Sequence, residues 1–150
     1  MKNLLYCLAA TVLILSCSPY EYDATSFIEL KKGPCFHFCP VYTFHADGRG
    51  NATYTGEENV SKEGQWQQTL SPEVTNALFK SYAEANFWDF EDEYTDHISD
   101  LPTVWLTFSY GGQKKTIKDY YGGPESLKAL EKMAQDIAQS EDGWTKAEPQ

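Results

Sequence analysis

Two turn signals restrict this chain to a small set of folds. Asp47-Gly48-Arg49-Gly50 stands between the runs Val41-Tyr42-Thr43-Phe44-His45 and Asn51-Ala52-Thr53-Tyr54-Thr55. Gly111-Gly112 stands between an alternating run through Val104, Leu106, Phe108 and Tyr110 and a returning segment at 114–120. Asp-Gly and Gly-Gly suit the positive φ of tight hairpins, and the flanking alternation has the period of a strand. A helix start follows each hairpin. Ser71-Pro72 supplies an N-cap and a first-turn proline, with Val74, Ala77, Leu78, Tyr82 and Ala85 at helical spacing. Gly122-Gly123-Pro124 precedes Leu127, Leu130, Ala134, Ile137 and Ala138, again one helical face. An earlier strand at 27–31 and a short run at 65–70 complete the order β-ββ(β)-α-ββ-α. The expected fold is α+β: an antiparallel sheet built from hairpins, with two helices packed on one face.

The N-terminus is of another kind. Lys2 precedes an almost unbroken apolar run from Leu4 to Leu15. A membrane-spanning helix needs about 20 apolar residues, whereas a secretory signal needs fewer. The run ends in Ile14-Leu15-Ser16-Cys17, which resembles the lipobox of bacterial lipoproteins. That resemblance implies cleavage before Cys17 and lipid on its thiol and amine. The expected organisation is a signal peptide at 1–16, a lipidated tether at 17–25, one domain at 26–144 and a tail at 145–150. The expected address is the bacterial cell envelope, anchored by lipid and facing the periplasm or exterior.

Composition removes one class of partner. The chain has 12 basic against 22 acidic residues, a net charge of −10, and Arg49 is its one arginine. Nucleic-acid binding needs Lys and Arg to neutralise phosphates, so no nucleic-acid partner is expected. Of the four cysteines, Cys7 leaves with the signal and Cys17 carries lipid. Cys35 and Cys39 remain, and an even pair in an oxidising compartment is expected to form a disulfide. In an extended strand they would lie about 13 Å apart, so a bond needs a sharp turn between them. Pro34 and Pro40 each hold the preceding residue extended and leave the bend to 36–38. The alternative is a thiol-redox or metal-binding site at Cys35, His37 and Cys39. It lacks the C-x-x-C spacing of redox pairs, and a metal would need reduced thiols.

The run Cys35-Phe36-His37-Phe38-Cys39-Pro40-Val41-Tyr42 resembles the C-x-G-x-C-P-x-Y signature of a family of bacterial, often lipid-anchored proteins, domain of unknown function 6438. The resemblance continues through Asp47-Gly48, Leu70-Ser71-Pro72-Glu73, Asp100-Leu101-Pro102-Thr103 and Tyr120-Tyr121-Gly122-Gly123-Pro124. It spans about residues 26–144, with His37 where the family usually has glycine. It implies no particular activity.

Residues 89–100 hold six carboxylates, and Asp96, His97 and Asp100 are weak candidates for a hard cation, as is His37 for a softer one. The spacing, glycine and closing glutamate of an EF-hand are missing. No G-x-S-x-G, H-E-x-x-H or phosphate-cradling loop is present. The functional expectation is therefore a non-catalytic binding or interaction domain without cofactor. Its expected partners are the membrane, through lipid on Cys17, and an envelope protein or ligand. Tyr42, Tyr54, Trp66 and Trp105 are the candidate ligand surface, on the sheet face that the helices leave open.

Overall fold

A computed structural model describes residues 22–97 and 100–148. The expected signal peptide and the expected lipidation site Cys17 lie outside the described residues. The strands are β1 (Phe27–Lys32), β2 (Val41–Asp47), β3 (Asn51–Glu58), β4 (Gly64–Thr69), β5 (Glu93–Tyr94), β6 (Val104–Tyr110), β7 (Gln113–Asp119) and β8 (Thr145–Lys146). The helices are α1 (Pro72–Glu84) and α2 (Glu125–Gln139). One sheet of eight strands runs β5-β7-β6-β1-β2-β3-β4-β8. All pairs are antiparallel except β5 with β7. The expected α+β fold is the observed one.

Local chemistry accounts for the turns. Between β2 and β3, Asp47 Oδ1 accepts from the backbone N–H of Arg49 and Asn51, each at 2.9 Å. Gly50 then turns at φ +87, where a Cβ would press on Thr75 Oγ1 and Leu70 O. This is a hairpin of type I turn plus left-handed glycine. Between β6 and β7 both Gly111 and Gly112 have positive φ, as a two-residue type I′ turn requires. Ser71 caps α1 by accepting from the Val74 N–H, with Pro72 behind it.

Both helices cover one face of the sheet. Ile28, Leu30, Phe44, Leu106, Phe108 and Ile117 are fully buried beneath Leu78, Phe79, Tyr82, Leu127 and Leu130. Phe108 is the hub of an aromatic cluster, with the rings of Tyr82, Phe87 and Trp88 at 5.5, 5.6 and 5.4 Å. The buried face of α1 differs from the expected one. Thr75, Leu78, Phe79 and Tyr82 point inward, while Val74 and Ala77 face solvent. Phe79 in contact with Phe108 and Tyr22 sets that rotation.

Two short strands extend the sheet beyond the expected core. In β5, Glu93–Tyr94 lies along the end of β7, inside the acidic stretch. There Lys115 Nζ meets Asp92 at 3.2 Å and Lys118 Nζ meets Glu93 at 2.8 Å. Part of the acidic run thus pairs with lysines of its own sheet. After α2, Trp144 packs edge-on to Phe44 and tilted on Tyr54. Thr145–Lys146 then pairs with β4, so the sheet continues past the expected domain end at 144.

Candidate functional site

The most exposed apolar groups lie in the connection from β1 to β2. Cys35 and Cys39 form a disulfide with Cα atoms 5.6 Å apart. Between them Phe36 is 82% and Phe38 87% exposed, with His37 exposed at the tip. The loop is also held from outside. Asn59 takes the left-handed conformation at φ 56, which asparagine tolerates, and its Nδ2 donates to the Cys39 carbonyl at 3.1 Å. Gly33 N–H donates to the Thr103 carbonyl at 2.9 Å and fixes the entrance. Both sulfurs are committed to the bond, so this state offers no thiolate to a metal.

Closing so short a loop contributes about 2 kcal/mol in the chain-entropy account. Reduction is expected to lower the denaturation midpoint by that amount and leave the domain folded. Complete unfolding on reduction, followed by circular dichroism, would contradict it.

Behind the loop is a small polar recess of about 280 Å³, bordered by Pro40, Tyr42, Tyr54, Asn59 and Lys62. Tyr42 and Tyr54 stack with centroids 5.1 Å apart, and the Gln139 amide donates to the Tyr42 hydroxyl at 3.3 Å. Burial pushes both phenols up to about 12. Lys62, itself buried, donates to the Ser140 carbonyl at 2.9 Å. There its charge meets the negative end of the α2 dipole. Asn59 and Lys62 were not expected as contributors, because each acts on a carbonyl remote in sequence.

The expected aromatic ligand surface is not one surface. Tyr42 is fully buried and Tyr54 is 3% exposed. Strand alternation puts Tyr42 in phase with Phe44 and Ala46, and Tyr54 in phase with Ala52, all beneath the helices. Trp66 pairs with Tyr54 across the ladder, so it shares that side; its Nε1 donates to the Glu63 carbonyl at 3.0 Å. Only Trp105 faces the open side, half-buried between Lys31 and Lys118 in register. Its ring lies against Gly33, with Lys31 Nζ 5.8 Å from the centroid.

The open face is otherwise polar. One row crosses it from Thr116 through Thr107, Glu29, His45 and Thr53 to Gln67. Thr107 and Thr116 share a hydrogen bond at 2.8 Å. The one phenylalanine in the adjoining row, Phe27, stacks on His45 at 5.1 Å, with Lys114 Nζ 5.3 Å from its centroid.

The cation candidates are not gathered into one site among the described residues. Asp96 Oδ1 accepts from the His97 backbone N–H at 2.7 Å. Asp100 is exposed with φ 78, and His37 stands on the disulfide loop. Among the described residues, no three His, Cys, Asp or Glu side chains are grouped so as to hold a metal.

A family model described as "Domain of unknown function (DUF6438)" matches residues 26–138, from just before β1 to the last turn of α2. No match to a curated protein was found.

Proposed function

The chain belongs to that family, and from this premise we propose that it is a non-catalytic interaction domain that grips its partner through the Phe36–Phe38 loop. In the same reading it is displayed on a bacterial cell envelope by lipid on Cys17. The observation that carries it is the exposure of two phenylalanines in a disulfide-closed loop. Each buries about 2 kcal/mol worth of apolar surface if a partner covers it. The disulfide, the flanking prolines and the Asn59 contact restrict the loop beforehand, so little ordering entropy opposes binding. Aromatic anchors of this kind dominate interface energetics.

The position of the tether favours a protein partner over the anchoring bilayer. Tyr22, the first described residue, packs on Phe79 and Tyr110. That is the end of the sheet where β1 begins, beside Asp47 and Ser109. The loop leaves the other end of β1, about 20 Å away at strand rise. The phenylalanines thus lie at the opposite end of β1 from the first described residue, which supports a partner other than the anchoring bilayer. Among the described residues no helix is long and apolar enough to cross a membrane.

In-cell photocrosslinking tests both halves. A crosslinking residue in place of Phe38 is expected to give a discrete adduct, and one in place of Gln67 on the open face none. Equal labelling at both positions, or none at either, would overturn the docking loop. Cys17→Ser is expected to leave an unprocessed precursor; normal-sized, membrane-extracted protein from that variant would overturn the anchor.

A further inference from the structure

At the C-terminal end of β7, next to the start of α2, lie two carboxylates that the fold buries almost completely. Asp119 is 1% and Glu131 3% exposed. Asp119 pairs across the sheet with Val104, and Glu131 is nearly two turns into α2, on its buried face. Lys128 bridges them, its Nζ 2.7 Å from Asp119 Oδ2 and 3.4 Å from Glu131 Oε2. Asp119 Oδ1 and Glu131 Oε1 are buried and receive no hydrogen bond among the described residues.

The groups that face Glu131 come from four elements. Lys128 stands on α2 itself. Tyr82 on α1 is near enough for the Glu131 charge to affect it, but its hydroxyl donates to the Leu130 carbonyl at 3.2 Å. Lys32 at the end of β1 feels Glu131 too, yet it is half-buried and desolvation lowers its pKa. Asp119, on β7, is a second acceptor. So two buried carboxylates present four oxygens to one bridging ammonium, which reaches one oxygen of each. Buried acceptors without donors are costly, more so when they carry charge. A proton held between the two carboxylates supplies a donor and removes one of the two negative charges that a single lysine would otherwise have to balance.

We propose that Asp119 and Glu131 share one proton, and that this proton clamps the first turns of α2 onto the sheet and is released as the surroundings become alkaline. The neutral Glu131 carboxyl donates to ionised Asp119, which Lys128 balances. On release the proton goes to solvent, and Glu131 gains a charge beside Asp119 with a single half-exposed lysine to offset both. The clamp reaches the helix start because Gly123, two residues before α2, lies directly on the Asp119 carboxylate. A Cβ on Gly123 would collide with it. Burial raises Glu131 to about 7 against the pull of Lys128, with the Asp119 charge adding to the rise.

The sign follows from where the proton is held. Between 4.5 and about 7 the native state keeps a proton on Glu131 that the unfolded chain has lost. Stability therefore falls as pH rises through that window and levels off above it.

The full chain in detergent, compared with Glu131→Gln, provides the test. Glutamine imitates the protonated carboxyl by donating to Asp119 without titrating. The wild-type unfolding midpoint is expected to fall from about pH 5 to about pH 8, and the variant's to change less and to equal or exceed wild type at the alkaline end. Amide exchange at Lys128, corrected for intrinsic base catalysis, should accelerate above neutrality in wild type only. An equal slope in both proteins, or no alkaline acceleration in wild type, would overturn the clamp. Infrared spectra of wild type alone cover the case of a variant that does not fold. A protonated-carboxyl band present at about pH 6 and lost by about pH 8.5 is expected, and its absence refutes the shared proton.

Discussion

Phe108→Ala is expected to destabilise the domain by about 3–5 kcal/mol, the range for removing a large buried aromatic. Phe108 is fully buried on β6, beside β1 in the middle of the sheet. Among the described residues five rings lie within 6.3 Å of its centroid, those of Phe79, Tyr82, Phe87, Trp88 and Tyr110. They come from α1, from the turn after it and from β6 itself, so no single shift can fill the space. Phe36→Ala removes the same atoms from a side chain that is 82% exposed and is expected to change stability by less than about 0.5 kcal/mol. Urea unfolding of both variants, at unchanged m-value, measures the contrast. A loss below about 1 kcal/mol for Phe108→Ala would mean that helices and sheet do not pack through this cluster.

The features legible in the sequence were those whose causes are local. Gly111-Gly112 requires positive φ wherever it occurs, and Ser71-Pro72 caps a helix without help from the rest of the chain. The hairpins and both helices followed from such signals. What escaped depended on a distant partner. Glu93–Tyr94 and Thr145–Lys146 are strands only because β7 and β4 offer them an edge, and two residues carry no periodicity. On α1 the inward positions include Thr75, a polar residue, and exclude Val74, because Phe79 rather than Val74 meets the central aromatics.

Of the candidate site, the disulfide was legible because the prolines flanking it force a bend. The exposure of Phe36 and Phe38 was not, since an apolar residue reads as core by default. The ligand surface failed on a signal that the sequence did contain. Tyr42 and Tyr54 share strand parity with Phe44 and Ala52, the residues that the helices cover. Glu131 was missed, although the same reasoning reaches it. It falls four residues after Leu127 and three before Ala134, on the apolar stripe of α2. A glutamate on that stripe is either paired or protonated.

That leaves Lys128 as the residue on which the buried pair depends. Lys128→Leu keeps most of the side chain's apolar stem and removes the one cation in contact with both carboxylates. Breaking a fully buried pair costs about 3–5 kcal/mol. The Lys128 side chain is 41% exposed, so solvent already screens part of that interaction, and about 2–3 kcal/mol is the expected loss near pH 8. The loss should depend on pH in a stated direction. Lys128 holds the Glu131 pKa down against burial, and without it that pKa rises further above 4.5 and the native state keeps its proton to higher pH. The penalty is therefore smallest under acid conditions, where Glu131 is neutral, and grows as the pH passes through neutrality. Denaturant unfolding at about pH 5 and about pH 8 resolves this. A penalty equal at both pH values would show that Lys128 contributes packing alone. Combining Lys128→Leu with Glu131→Gln should restore part of the alkaline loss, because the second change removes a charge that the first leaves unpaired.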